Sequence, residues 1–328
     1  MSSAQKMPLA GGARTLGSTD LIVSRLGYGA MELSGPPRAR DLPEAQVISF
    51  IHALAEHGMP YLDTSIDYGL SETLIGKALV GRRSDYILAS KCACQAGLAI
   101  GDHGEKHIFT AQNVIAGVEQ SLQRLRTDYL DVVQIHGSPT LQELEEGGVI
   151  AALLSLQKRG LVRYFGISSR LPGLAEFVDV EPFTVYQVPY SALQRTNEAV
   201  IETLKTKGKA IVARGVTGRG APSKGWATRP IGTAQGEVKA IWQRAGLDEL
   251  IKGMDPIEFM IRFALTNPNL DIALVATTNL AHLQANIASA AKGPLPADLY
   301  QIACQSLLAA GSGPGLGVYK GGGPTPVL

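Results

Sequence analysis

DYILASK (Asp85–Lys91), TAQNVIAGVEQSLQRLR (Thr110–Arg126) and DYLDVVQIH (Asp128–His136) follow one another along the chain, and their alternation decides the fold. The first and third are short apolar runs with the length and composition of strands. The middle stretch opens on Thr110 as an N-cap and sets Val114, Val118, Leu122 and Leu125 on one face, the signature of an amphipathic helix. Strands joined by a helical crossover lie parallel. Working outward, the same alternation recurs. YLD (Tyr61–Asp63) precedes SETLIGKAL, and DYLDVVQIH leads to VIAALLSLQKRG, where Gly160 stands at a helix C-terminus. LVRYFGIS leads to LPGLAEFV, FTVYQVPY to NEAVIETLKTKG, and IALVAT to NLAHLQANIAS, while AIVARG reaches its helix through a long loop. With VSRLGYGA as the first strand, eight strand candidates alternate with helices.

Runs such as VARG, VVQI and ALVA are apolar on both faces, as strands covered on both sides must be. Eight such units in 328 residues predict an α/β fold, a (β/α)8 TIM barrel forming one domain over residues 1–328. The rival, a doubly wound sheet, needs a glycine fingerprint between strand and helix. GYGAME at Gly27 lacks the third glycine, and GSGPGLG at Gly311 runs into a tail. Residues 309–328, rich in glycine and proline, are expected to be a flexible tail.

Composition narrows the partners. Thirty Lys and Arg against 29 Asp and Glu leave a net charge of +1, no footprint for nucleic acid or an anionic membrane. The longest apolar stretches, such as VIAALLSL (Val149–Leu156), fall far short of a bilayer span. Three cysteines (Cys92, Cys94, Cys304) and a first segment without an apolar core suit a soluble, cytoplasmic protein. Oligomeric state leaves no trace in the sequence.

In a barrel, chemistry collects at the C-terminal ends of the strands. Those ends read Gly29-Ala30-Met31, Asp63, Lys91, His136, Ser168-Ser169, Gln187, Arg214 and Thr277-Thr278-Asn279. Asp63 and Lys91 end neighbouring strands and are placed to pair, with Tyr68 on the loop after Asp63. An ammonium beside a phenol favours phenolate and is expected to lower its pKa, while a nearby histidine can donate to a carbonyl oxygen. Such a group polarises a C=O and supplies a proton; the hydride must come from a cofactor.

Cys92-Ala-Cys94 followed by His103 and His107 invites a zinc reading, but one residue between cysteines is tighter than structural zinc sites use, and no metal is expected. Cys92, beside Lys91, is instead expected to neighbour the site and to be sensitive to oxidation. The loop from Val216 to Gln235, with Arg219, Lys224, Trp226 and Arg229, is long enough to be functional. Tyr28, Met31, Trp226 and Tyr319 are candidates for lining a substrate pocket.

LDTSIDYG, LASK, DVVQIH, GLVRYFGISS and YQVPY, in this order, resemble the aldo-keto reductases, in particular bacterial-type long-chain members. RTLGSTDLIVSRLGYGAM and VATTNLAHLQAN extend the likeness from about Arg14 to Ala290. The resemblance implies a tetrad of Asp63, Tyr68, Lys91 and His136, with Tyr68 as general acid/base, Lys91 and Asp63 tuning it, and His136 orienting the carbonyl. It implies that Ser168 and Gln187 hold a nicotinamide carboxamide, and that a β-hairpin before the first strand closes the barrel floor. It also implies a cofactor-covering role for the basic loop after strand 7. The cofactor-binding set is Gly29, Ala30, Met31, Asp63, Ser168, Ser169, Gln187, Arg214, Thr277, Thr278, Asn279, His282, Gln284 and Asn286.

Departures from the family pattern bear on the cofactor. Ser169 replaces the usual asparagine, Arg214 stands where many members stack an aromatic, and Ala285 replaces a glutamate before the adenine-contacting Asn286. The usual Lys or Arg for a 2′-phosphate after strand 8 is replaced by Ala276 to Asn279, with His282 further on. NADP(H) is favoured by family habit, with NAD(H) or dual use open. The expected activity interconverts an aldehyde, ketone or sugar carbonyl and its alcohol. The alternatives are a cofactor-binding sensor or partner subunit with slow turnover, as in channel-associated members, and a lyase or isomerase using Lys91 as a Schiff-base amine.

Overall fold

The computed structural model describes residues 8–104, 106–218 and 233–315. A short antiparallel hairpin, β1 (Ala13–Thr15) and β2 (Ile22–Ser24), precedes the barrel. The barrel strands are β3 (Leu26–Gly29), β4 (Tyr61–Asp63), β5 (Ile87–Cys92), β6 (Leu130–His136), β7 (Val162–Ser168), β8 (Val185–Pro189), β9 (Ala210–Arg214) and β10 (Ile272–Val275). They pair in parallel in chain order, and β10 closes the circle on β3 with Ala273 opposite Leu26. The expected (β/α)8 barrel and hairpin are both present.

Helices follow the strands on the outside: α1 (Glu44–Glu56), α2 (Ser71–Ala78), α3 (Ala111–Leu125), α4 (Leu141–Glu146), α5 (Val149–Lys158) and α6 (Glu198–Thr206). After β9 come α7 (Thr233–Arg244), α8 (Leu247–Leu250) and α9 (Pro256–Thr266); after β10 come α10 (Leu280–Ala291) and α11 (Ala297–Ala309). Thr110 caps α3 as its sequence predicts, its side chain accepting from Asn113 N. Gly160 takes a positive φ of 76° just beyond α5. LPGLAEFV differs from expectation: only a 3₁₀ turn, Gly173–Phe177, forms there. Its buried residues, Leu174 and Phe177, are three apart, and three residues make one 3₁₀ turn. VSRLGYGA likewise divides at Arg25, whose guanidinium donates to Leu265 O at 2.9 Å between the hairpin and the barrel strand.

Two apolar cores result. The inner one stacks Tyr61, Ala89, Val132, Val185, Ala210, Val212, Ile272 and Leu274 inside the barrel, with Leu16, Leu21 and Val23 of the hairpin beneath them. The hairpin is thus the floor. Its turn needs Gly17: φ is +54°, and a Cβ there would lie 2.5 Å from Ala210 N. The outer core packs strand residues such as Leu62, Leu88, Val133, Ile167 and Val188 against the helices.

Several expectations meet the edge of the described residues. Arg219, Lys224, Trp226, Arg229 and Tyr319 lie outside them, but the long loop ends earlier than expected, since α7 begins at Thr233. Of the expected tail, residues 309–315 are described and folded against the barrel: Ala309 ends α11, and buried Ser312 donates to Ala192 O at 3.0 Å; residues 316–328 lie outside the described residues. Among the described residues no helix is long and apolar enough to cross a membrane.

Candidate active site

Strand pleating selects which side chains reach the barrel mouth. Successive residues alternate faces. Asp63, Lys91, His136, Gln187 and Arg214 therefore share the inner parity of Tyr61, Ala89, Val132, Val185 and Val212. The inward positions below this level are mostly apolar, buried Gln134 of β6 being an exception, and the polar side chains gather toward the strand ends.

At that level the side chains interlock. Lys91 Nζ donates to Asp63 Oδ2 at 2.7 Å and to Thr64 O at 2.8 Å. Gln187 Nε2 donates to Asp63 Oδ1 at 2.8 Å, and Ser168 Oγ donates to Gln187 Oε1 at 2.8 Å. One hydrogen-bond chain thus crosses β7, β8, β4 and β5. Lys91 and Asp63 are only 2% and 4% exposed. Burial pulls the ammonium's pKa down, but Asp63 and the Tyr68 phenol outweigh it and the group ends above the usual lysine value.

Tyr68 lies over this pair, its ring centroid 5.1 Å from Lys91 Nζ. Burial pushes the phenol up to about 12, against the downward pull of Lys91. This corrects the expectation of a lowered phenol: the ammonium acts in the predicted direction, and desolvation is larger. His136 faces Tyr68 nearly edge-on, with ring centroids 6.4 Å apart. Burial lowers its imidazole to about 3, against the pull of Asp67, so the ring is neutral. Its Nδ1 sits 3.1 Å from Cys94 Sγ, whose thiol burial keeps protonated. An S–H that donates to Nδ1 leaves Nε2 to carry the ring proton. Arg214 acts electrostatically on both Tyr68 and His136.

Asp67 is a site residue that strand-end reading misses. It is buried, with Oδ1 3.7 Å from His136 Nδ1 and Oδ2 3.4 Å from Arg38. Burial pushes its carboxyl up, while the Ser65 hydroxyl, Lys91 and Arg38 pull it down, and the group ends below the usual value. The available signal was its place directly before Tyr68 in LDTSIDYG. Cys94 and His107 also reach His136, and both enter from the loop after β5.

The remaining expected positions are distributed around the mouth. Gly29 pairs with Asp63 in register, and Ala30 and Met31 open a 3₁₀ turn, Ala30–Leu33, braced by Ser71 Oγ donating to Ala30 O at 3.0 Å. Ser169 N donates to Gln187 O at 3.1 Å, and its hydroxyl meets that of Ser138 at 2.9 Å. Thr278 shares a crevice with Leu33 and Gln46 across the β10–β3 seam. Asn279 caps α10, accepting from Ala281 N at 2.8 Å and His282 N at 3.3 Å. His282 is exposed and Asn286 is buried in α10. Gln284 is exposed, with Nε2 3.5 Å from His57 Nε2 at the end of α1.

Two sequence expectations need correction. Tyr28 does not line a pocket; it points outward and packs on Phe50 of α1 at 5.5 Å, fully buried. Cys92 faces the helices, fully buried, with its thiol pushed up to about 12, so it is neither a site neighbour nor readily oxidised. Strand alternation sends Lys91 inward and Cys92 outward.

The donor set also fits a primary carboxamide. Gln187 uses one of its two N–H donors on Asp63, and Ser168 keeps its lone pairs, so a donor and an acceptor remain at the strand ends.

Comparison with known proteins agrees with this geometry. Residues 25–305 match the model of the aldo/keto reductase family. The L-galactose dehydrogenase of Arabidopsis thaliana is 28% identical over 84% of this chain and 87% of its own. An uncharacterized oxidoreductase of Bacillus subtilis (strain 168), YqkF, is 27% identical over 84% and 90%. Among solved structures, aldo-keto reductase AKR11C1 from Bacillus halodurans, in its holo form, superposes with a TM-score of 0.76 at 28% identity, covering 92% of this chain and 96% of that one. The polar ring at the mouth of this barrel thus stands in a fold and sequence context shared with carbonyl–alcohol oxidoreductases that use nicotinamide cofactors, and the chain belongs to the aldo/keto reductase family.

Proposed function

We propose that the protein reduces an aldehyde, ketone or sugar carbonyl to its alcohol, and runs the reverse reaction, with Tyr68 as the proton donor and acceptor. The observation that carries this reading is the convergence of Tyr68, Lys91 and His136 on one space, with Asp63 locked to Lys91 behind them. Ser168, Gln187 and Ser169 hold the carboxamide of the nicotinamide, and Gly29, Ala30, Met31 and Arg214 border the ring. Thr277, Thr278, Asn279, His282 and Asn286 take the adenosine end. When bound, the nicotinamide supplies or accepts the hydride.

The chain's own part is orientation and proton transfer. His136 donates from Nε2 to the carbonyl oxygen and sets its angle. Tyr68 O–H gives its proton to that oxygen as negative charge develops there. Lys91, kept charged by Asp63, then stabilises the phenolate. In the reverse direction the phenolate takes the alcohol proton.

NADP(H) remains the reference cofactor by family habit, and NAD(H) is accepted as well. Ile272–Ala291 contains no Lys or Arg, and Asn279 already occupies two of the N–H groups that open α10. The relatives' names include a sugar dehydrogenase, which favours polyhydroxylated substrates among the carbonyls to be tried.

The test follows the oxidation of NADPH and NADH with a panel of aldehydes, ketones and aldoses. Tyr68→Phe is expected to lower kcat by about 10²–10⁴ while cofactor Kd stays within about twofold. Wild-type turnover in that variant sinks the proton-donor assignment. Tight cofactor binding without turnover on any substrate favours the sensor reading instead.

A further inference from the structure

The loop after β5 returns to the barrel mouth and assembles three soft ligands that the proposed reaction does not require together. Cys94 Sγ, a ring nitrogen of His107 and a ring nitrogen of His136 all lie within 4.8 Å of one another. Sγ is 3.1 Å from His136 Nδ1, and the two imidazole centroids are 5.0 Å apart at 83°. Tetrahedral zinc with one sulfur and two nitrogens places its ligand atoms about 3.3–3.6 Å from each other. Small rotations of His107 therefore bring the three into register.

The backbone holds them there. Cys94 and His107 face each other across an antiparallel bridge, with Ile108 N donating to Ala93 O at 2.7 Å and Gln95 N to Lys106 O at 3.1 Å. Ala93 adopts a φ of +67°, which turns the chain so that Cys94 faces His136. Asn113 Nδ2 fixes the Cys94 carbonyl at 3.0 Å, and His107 stacks on Phe109 with its plane within 8°. Asp67 Oδ1, 3.7 Å from His136 Nδ1, adds a carboxylate to the edge of the cluster. Sequence spacing offers Cys92, Cys94, His103 and His107; the structure brings Cys94 and His107 to His136 and leaves the other two out, since Cys92 faces the helices and His103 Nε2 lies 3.0 Å from Pro36 O.

We propose that Cys94, His107 and His136 form a binding site for a thiophilic divalent cation of the zinc type, sharing His136 with the carbonyl site. On binding, the Cys94 thiol releases its proton to solvent and its sulfur takes the metal. Three protein ligands leave one coordination position, filled by water or Asp67. A dication on His136 Nδ1 sits at the mouth beside Tyr68 and changes the charge around the proton donor, so metal loading changes the rate of carbonyl reduction and chelation restores it.

The test titrates Co²⁺ into the purified full chain and reads the thiolate-to-cobalt charge-transfer absorption, with Zn²⁺ displacing it at one equivalent. The expected result is a tetrahedral spectrum that is lost in Cys94→Ser and weakened at least tenfold in affinity in His107→Ala. His107 is exposed, so its replacement leaves the fold intact. Cys304→Ser should keep the spectrum. No charge-transfer band in the wild type, or a band that survives Cys94→Ser, overturns the site. Turnover unchanged in the zinc-loaded protein overturns the coupling to His136. Absence of any reductase activity in metal-free protein counts against the proposed function alone, because the cobalt spectrum is read without substrate or cofactor.

Discussion

The balance of forces on single side chains sets what the site does. Lys91 and Asp63 are both buried, and each is tolerable only because the other is there. Lys91→Met leaves an unpaired carboxylate inside the barrel, and the expected cost is about 3–5 kcal/mol in chemical denaturation, with loss of turnover. Adding Asp63→Asn should recover much of that stability and none of the activity. A double variant as unstable as the single one contradicts the pairing. Tyr68 sets the pH response. With its phenol at about 12, the protonated donor dominates throughout the working range. Reduction should therefore show no loss attributable to this group from about pH 6 to about pH 10. Alcohol oxidation needs the phenolate, so its kcat/KM should rise by about tenfold per pH unit over the same interval. A plateau in oxidation beginning near neutrality contradicts a raised phenol. The identities and joint placement of Asp63, Lys91, His136, Ser168 and Gln187 were legible because each lies on the inward parity within the last three residues of a strand. Asp67, Cys94 and His107 were not, because they sit on loops whose path no periodicity encodes.

At the level of elements, local signals and tertiary contacts agree where a helix or strand carries its own punctuation. Thr110 before α3 and Gly160 after α5 behave as their residue types dictate. Agreement fails where a segment is short, as at LPGLAEFV, or where two elements share one run, as at VSRLGYGA. The hairpin is the clearest element whose value is purely tertiary, since it buries Leu16, Leu21 and Val23 only because an open barrel floor awaits them. Gly17→Ala tests this directly. A left-handed φ and a Cβ against the Ala210 backbone should together cost about 2 kcal/mol or more, read as a lower denaturation midpoint. A midpoint equal to wild type means the hairpin does not bear on the floor as described.

For the whole molecule, the burial of tyrosines gives a prediction of stability against pH. Tyr28, Tyr61, Tyr68, Tyr186 and Tyr190 are all buried, and desolvation raises each phenol above its ordinary value. Below about pH 10 these groups are neutral in both states and contribute no pH dependence. Above it the unfolded chain ionises while the folded one holds its protons, so stability falls as pH rises, by up to about 1.4 kcal/mol per unit for each group. Denaturation curves should be level up to about pH 9.5 and weaken steeply beyond it, with the absorbance of these five phenolates appearing only as the protein unfolds. Ordinary titration of these five phenols in the folded protein contradicts this.

The sequence by itself determined the barrel, because eight alternations of period-two and helical patterning admit few other arrangements of parallel strands. It also determined the polar ring, since a strand's last inward residue is known once its parity is known. Only the tertiary structure decided the protonation states and the neighbours of that ring. Whether Lys91 or burial governs Tyr68 depends on how much water its neighbours exclude. Whether Cys92 or Cys94 meets His136 depends on a single left-handed residue, Ala93, at the turn out of β5. Both depend on distances in three dimensions, between residues that lie far apart in the chain or on the two faces of one strand.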